Sequence, residues 1–189
     1  MKLQTQFNIL VLLFIFLNLN LTFAQEREVL PKGFSDKEKA ELLVKGFQFK
    51  SSATAVAPTG AVRTAAEWEE VEYLVLSWNN SYNDILSEIV KASIVECKVI
   101  IAYYGVTENT IRTKLRSSPY SMTTTEIDNN VIFLSAPTDS IWIRDFAGNT
   151  VYSNDVGQLG LTDWRYNRNR NNDDQVPSEH ASELGMSSY

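Results

Sequence analysis

Three short runs of β-prone, almost continuously apolar residues constrain the fold of this chain more than any other feature. They lie at residues 71–76, 98–104 and 131–134, and amphipathic stretches at 82–92 and 106–116 separate them. A strand that is apolar at nearly every position is typical of a sheet covered on both faces. Strands that alternate with helices in this order predict an α/β fold.

A polar turn of unusual composition follows the third run directly. Trp142 and Arg144 lie in it with two aspartates, Asp139 and Asp145, within seven positions. Trp142 and Asp145 can offer an aromatic ring and a carboxylate to one ligand, which suits a guanidinium or an ammonium group. The turn lies beyond the C-terminal end of a strand, where α/β proteins usually keep their chemistry. We therefore predict that it forms one wall of a binding site.

A second polar segment, about twenty residues further on, supplies the opposite charge. Arg168 and Arg170 are two positions apart, so on an extended segment they point the same way and form a fork for a carboxylate or phosphate. A cation-binding acid and an anion-binding arginine pair together describe a zwitterionic or arginine-like ligand. The alternative is that these charges pair with each other, since residues 163–174 contain three arginines and three aspartates.

A predicted β-hairpin connects the two polar segments. Residues 149–152 and 158–163 are β-prone, and the stretch between them contains asparagine, aspartate and glycine, which favour a tight turn. The second strand carries the chain back toward the turn. This route would bring Arg168 and Arg170 near Asp145.

Three stretches carry a resemblance to a known family. Residues 142–145, W-I-R-D, resemble the W-x-R-D motif of the guanidine-modifying deiminases. Residues 166–174, Y-N-R-N-R-N-N-D-D, are similar to the segment that follows this motif in the bacterial peptidylarginine deiminases, and residues 66–78 are similar to the first strand of these enzymes. The chain thus resembles the Porphyromonas-type peptidylarginine deiminase and agmatine deiminase family.

The resemblance implies a fold, a reaction and roles for four residues. The fold would be the five-bladed α/β propeller of the deiminases, the pentein fold, of which this chain would supply about two blades. In the reaction a cysteine thiolate attacks the guanidinium carbon, ammonia leaves, and water converts the adduct to a ureido group. Asp145 would be the catalytic carboxylate that binds the guanidinium, Trp142 would wall the pocket, and Arg168 and Arg170 would hold the carboxylate of a C-terminal arginine. No metal or organic cofactor is implied.

Two departures from the family qualify this assignment. The family's catalytic cysteine, histidine and asparagine lie in motifs further along a longer chain, and those motifs do not occur before Tyr189. We therefore expect a truncated, N-terminal fragment of the enzyme. Residues 146–149 read F-A-G-N where agmatine deiminases tend to have glycine and proline. Together with the arginine pair, this favours a peptide or protein arginine as substrate, because agmatine has no carboxylate. Agmatine deiminase and a catalytically incomplete, secreted arginine-binding module remain as alternatives.

The N-terminal residues have the organisation of a secretory signal. Lys2 precedes an apolar core at residues 9–19, and small residues end at Ala24 before Gln25. The core is too short for a comfortable membrane span, so we expect cleavage after Ala24, no stable membrane insertion, and a secreted, periplasmic or cell-envelope location. Loss of Lys2 with the signal takes the formal net charge from −6 to −7. That charge argues against nucleic acid as a partner.

The remaining chain divides into two parts. Residues 25–60 are predicted to form an N-terminal helix and a linker, and residues 61–189 the N-terminal part of a deiminase catalytic domain. Ser35 and Glu38 have the spacing of a capping box at the start of the helix. The apolar residues of the helix are expected to provide a packing face; they are Ala40, Leu42, Leu43 and Phe47.

Two residues invite a catalytic interpretation that their surroundings do not favour. Cys97 is the only cysteine and His180 the only histidine of the chain. Cys97 lies at the start of an apolar strand, where a cysteine usually acts as a small buried hydrophobic residue. His180 has no partner motif around it, so we expect it at the surface.

Overall fold

The computed structural model describes residues 29–47, 56–153, 158–164 and 166–189. The predicted signal, Arg165 and the middle of the hairpin turn lie outside these ranges. Within the described ranges, no helix combines the length and the apolar character that crossing a membrane requires.

The described residues form thirteen helices and strands, with two additional 3₁₀ turns at Asn80–Tyr82 and Asp173–Gln175. In chain order the elements are α1 (Asp36–Lys45), β1 (Arg63–Thr64), β2 (Tyr73–Ser77), α2 (Asn83–Ser93), β3 (Lys98–Tyr103), α3 (Glu108–Arg116), α4 (Thr124–Asn130), β4 (Val131–Ser135), α5 (Ile143–Phe146), β5 (Asn149–Tyr152), β6 (Leu159–Thr162), α6 (Val176–Glu183) and β7 (Ser187–Ser188).

The three predicted apolar runs form one parallel sheet, with β3 between β2 and β4. Residues 99–102 of β3 are fully buried, as expected of a strand covered on both faces. Because side chains alternate along a strand, Val99 and Ile101 pack with α2 and α3 on one face. Ile100 and Ala102 face the other side, where they pack in a cluster that includes Phe146 and Tyr166. The second face therefore supports the polar segments.

The predicted hairpin belongs to a second sheet, with strand order β1-β5-β6-β7. β5 and β6 pair antiparallel, as the sequence predicted, and β1 adds to β5 while β7 adds to β6. Neither sheet closes on itself among the described residues. The mixed α/β class is confirmed.

The expectation for α1 is half right. The capping box is present: the Ser35 amide donates to Glu38 Oε2 at 2.7 Å, and the Glu38 amide donates to Ser35 Oγ at 3.3 Å. The predicted packing face is wrong, because α1 buries none of its residues and Leu43 is 89% exposed. The helix is attached instead through Glu38 in its first turn, as described below.

The expectation for His180 is wrong, since only 6% of this residue is exposed. It lies on the buried face of α6, which packs against β4, β6 and β7. Burial lowers the pKa of His180 because it disfavours the charged imidazolium. Cys97 is half-buried just before β3.

Candidate functional site

A buried carboxylate joins the two polar segments. Asp173 is fully buried and accepts hydrogen bonds from the amides of Asp139 (2.6 Å) and Ser140 (3.0 Å) and from Ser140 Oγ (2.8 Å). Burial raises the pKa of Asp173 to about 6, although these three donors favour the charged form. The turn after β4 is thereby fixed to the segment that carries the arginine pair.

Asp139 makes the reciprocal connection. It accepts from the amide of Asn172 at 3.1 Å and from Asn172 Nδ2 at 2.8 Å. Ser77, at the end of β2, donates its hydroxyl to the carbonyl of Ser140 at 2.8 Å. The turn is therefore held by its own strand, by β2 and by the second polar segment, which limits its freedom before any ligand binds.

Asp145 lies on the short helix α5, which packs on the parallel sheet through Phe146. Phe146 is buried, and its ring meets that of Tyr166 edge to face at 5.8 Å between centroids. The neighbouring Asp145 keeps 28% of its side chain exposed. A buried aromatic residue thus presents the adjacent carboxylate toward solvent.

Tyr166 lies within the electrostatic reach of all the predicted charged residues. Burial raises its pKa to about 12, and the charges of Asp173 and Asp145 act in the same direction while Arg170 and Arg168 oppose it. Charges influence a hydroxyl this way only at short range in a partly desolvated region. The charges of Asp145 and of the arginine pair therefore all act on the pKa of Tyr166.

Arg170 is almost completely buried and bound to the N-terminal part of the chain. Its Nε donates to Glu38 Oε1 at 2.7 Å, and its Nη2 donates to Glu38 Oε2 at 3.1 Å. The same Nη2 donates to the carbonyls of Pro31 and Gly33, each at 2.8 Å. Burial alone would raise the pKa of Glu38, but hydrogen bonds from Arg170 and Ser35 lower it to about 2.

Residues 30–38, hereafter the N-terminal strap, also contact the other three predicted site residues. Trp142 Nε1 donates to the carbonyl of Leu30 at 3.1 Å, and Lys32 Nζ lies 4.0 Å from Asp145 Oδ1. The guanidinium of Arg168 lies over the ring of Phe34, 4.1 Å from its centroid, and its Nη2 is 3.4 Å from the Lys32 carbonyl. The strap therefore crosses the whole predicted site.

Three buried polar atoms at this site have no hydrogen-bond partner among the described residues. They are Tyr166 Oη, Arg168 Nε and Arg170 Nη1. Buried polar atoms are nearly always paired, so each of these atoms is a donor that still lacks an acceptor. All three can donate to an anion.

The alternative in which residues 163–174 neutralise one another does not describe the observed contacts. Arg170 pairs with Glu38, Asp173 accepts from the turn, and Asp174 accepts the Tyr166 amide at 3.0 Å. Arg165 lies outside the described residues. The described residues also contain no group of three or more His, Cys, Asp or Glu side chains placed to hold a metal ion.

Comparison with known proteins identifies the family. A sequence model described as Porphyromonas-type peptidyl-arginine deiminase matches residues 63–189. The chain belongs to this family. The match includes the four predicted site residues of this deiminase family member and excludes the strap.

Two solved structures are similar to this chain in fold, and a third is similar to it in sequence. A structure provisionally described as a peptidyl-arginine deiminase is 17% identical, with a TM-score of 0.50, and the alignment covers 68% of this chain and 40% of that chain. A structure provisionally described as an agmatine deiminase is 17% identical, with a TM-score of 0.57 and coverage of 68% and 38%. The agmatine deiminase of C. jejuni with substrate bound is 23% identical, with a TM-score of 0.49 and coverage of 68% and 40%. The chain spans about two fifths of the length of these deiminases.

Sequence reasoning found the turn and the arginine pair but missed what surrounds them. The sequence predicts a helix and a linker over residues 25–60, and the apolar residues of the helix indicate packing only. Glu38 matched a capping box, and that local role gave no sign of its second bond, to a residue 132 positions away. Asp173 was grouped with the balancing charges, because burial of one acid in a polar segment leaves no local pattern.

Proposed function

We propose that this chain recognises arginine as part of a secreted peptidylarginine deiminase, which hydrolyses the guanidinium of a C-terminal arginine to citrulline and ammonia. Family membership supplies the class of reaction. The observation that carries the substrate assignment is that one short segment, residues 30–38, contacts Asp145, Arg168 and Arg170 together. An acid and an arginine pair on one site match the two ends of an arginine that has a free carboxylate.

Each predicted residue has a defined task in this proposal. Asp145 holds the guanidinium nitrogens by charge-assisted hydrogen bonds, and the ring of Trp142 covers the flat face of the group. The unpaired Nε of Arg168 and Nη1 of Arg170, with Tyr166 Oη, donate to the ligand carboxylate. These residues bind and orient the substrate. The attack by a thiolate that the family implies is assigned to none of these residues, and no step is assigned to Cys97.

The architecture proposed for the complete fold is the five-bladed propeller of the deiminases. Support comes from the two separate sheets and from the fold similarity over 68% of the chain. Each sheet with its helices would be one blade. Secretion is proposed from the sequence of residues 1–24, and the mass of the exported chain tests it: a chain that begins at Gln25 is expected, and retention of Met1 would contradict it.

Agmatine deiminase is the second candidate, and one contact favours it. Arg170 is already paired with Glu38, so a small cation without a carboxylate could bind Asp145 and leave that pair intact. A third possibility is a secreted module that binds arginine without catalysis, for which the binding groups described above suffice.

Calorimetric titration of the 189-residue chain separates the first two candidates. A short peptide ending in arginine is expected to bind at least about tenfold more tightly than agmatine, because only the peptide offers a carboxylate to the arginine pair. The same peptide ending in citrulline is the control, since it lacks the positive charge and should bind poorly. Agmatine binding that equals or exceeds peptide binding would overturn the choice of substrate.

A further inference from the structure

The N-terminal strap offers the site the same two charges that an arginine would. Its lysine, Lys32, lies at the acid that is proposed to bind the guanidinium, with 4.0 Å between Nζ and Asp145 Oδ1. Its glutamate, Glu38, lies at the arginine that is proposed to bind the carboxylate, with two hydrogen bonds to Arg170. A cation and a carboxylate on one segment thus meet the two opposite halves of the site.

Backbone and aromatic groups of the strap make further contacts with the predicted site residues. The carbonyls of Pro31 and Gly33 accept from Arg170 Nη2, and the carbonyl of Leu30 accepts from the indole of Trp142. Phe34 covers the guanidinium of Arg168. Every residue predicted to touch the substrate has a contact with residues 30–38.

We propose that the N-terminal strap is an internal occupant of the arginine site, in which Lys32 stands in for the guanidinium of the ligand and Glu38 stands in for its carboxylate. This inference rests on the function proposed above. A ligand must then displace the strap at least at Lys32, and this displacement reduces its net binding free energy. Ligands that carry only one of the two charges are therefore disfavoured.

The two ends of the strap differ in how readily they release. Lys32 is 67% exposed and its distance to Asp145 is at the limit of an ion pair, so water and salt weaken this contact. The Glu38–Arg170 pair is shorter, and almost none of the arginine side chain is exposed. Displacement therefore begins at the Lys32 end. Arg170 Nη1 has no hydrogen-bond partner among the described residues but is buried, so a ligand carboxylate reaches it only after the strap has moved.

The test measures binding of acetyl-arginine, which carries both charges, to the 189-residue chain and to a Lys32→Gln variant. Removal of the competing cation is expected to tighten binding about threefold to fivefold, which is the range of a weak exposed pair. Lys39→Gln is the matched control, because Lys39 is an exposed lysine of the same part of the chain and pairs at 2.8 Å with Asp36, which is not a predicted site residue. The control should change the affinity by less than about twofold.

A second readout follows the strap itself. The indole N–H of Trp142, which donates to Leu30, gives its own resonance in a ¹H–¹⁵N spectrum and can be assigned with a Trp142→Phe variant. Saturation with acetyl-arginine is expected to shift this resonance as the Leu30 carbonyl leaves. An affinity gain without that shift would overturn the inference, since the strap would then stay in place.

The remaining outcomes distinguish this inference from the proposed function. If the unaltered chain binds acetyl-arginine and Lys32→Gln binds it equally or more weakly, the strap is a wall of the site and the inference is wrong, while arginine recognition stands. If the unaltered chain, Lys32→Gln and Glu38→Gln all fail to bind, the proposed function is wrong and the inference falls with it.

Discussion

Replacing Asp145 by asparagine is expected to weaken binding of a peptide ending in arginine by roughly 30-fold to 100-fold. The asparagine keeps the size of the side chain but removes the charge that pairs with the guanidinium, and its amide would present donors to a ligand that also has only donors there. Calorimetric titration of the two chains with the same peptide measures the effect.

The folded state should be nearly unchanged by this substitution. Asp145 is partly exposed, and its ion pair with Lys32 is 4.0 Å long, so its contribution to stability is small. Asp128→Asn is the matched control: it also removes a carboxylate from a surface ion pair, with Arg112, but it lies on α4, whose Ile127 packs in a different core cluster from Phe146. An equal loss of affinity in both variants, or none in Asp145→Asn, would contradict the role assigned to Asp145.

The second large effect concerns stability, and it belongs to Asp173. Its replacement by alanine is expected to lower the free energy of unfolding at neutral pH by about 3 kcal/mol, because the amides of Asp139 and Ser140 and the Ser140 hydroxyl would lose their acceptor inside the protein. Urea unfolding followed by circular dichroism measures this loss. Asp36→Ala, which removes a carboxylate that is 99% exposed, should cost no more than about 0.5 kcal/mol.

Asp173 also predicts how stability depends on pH. Its native pKa of about 6 exceeds the ordinary value of 3.8, so between these values the native state holds a proton that the unfolded chain has lost. The free energy of unfolding therefore falls as pH rises through this window, by at most about 3 kcal/mol from this group. The raised pKa of Asp163 acts in the same direction, and the lowered pKa of His180 acts in the opposite one.

Because other groups titrate in the same range, the decisive quantity is the difference between two chains. In Asp173→Asn the fall in stability between about pH 4 and pH 6 should be smaller than in the unaltered chain, since the asparagine does not titrate. Parallel pH profiles would show that the buried carboxyl does not hold the proton assigned to it.

The sequence predicted the elements whose signal is local. Residues 99–102 are apolar without interruption, and β3 is correspondingly buried on both faces. The hairpin strands β5 and β6 and the capping box of Ser35 and Glu38 also follow from short patterns. Helix α4 was missed because it has seven residues and buries only Ile127, too little for a periodic pattern.

The candidate site was predictable only in part, because its assembly is non-local. Trp142, Asp145 and the arginine pair were identified from their residue types and their positions after strands. Their contacts with the strap join residues far apart in the sequence, such as Glu38 and Arg170, which are 132 positions apart. The apolar residues of α1 gave no guide to these contacts, because the helix buries none of its residues. His180 was misplaced for the same reason: α6 is a weakly amphipathic helix, and its burial is set by the two sheets on which it packs.

The central claim is that one site binds both ends of an arginine, and amidation of the ligand tests it most directly. The affinity of the 189-residue chain for a peptide ending in arginine is compared with that for the same peptide amidated at its C-terminus. The loss of the carboxylate is expected to weaken binding at least about tenfold, because a charged acceptor is removed from Arg168, Arg170 and Tyr166. Equal affinities for the two peptides would contradict the claim.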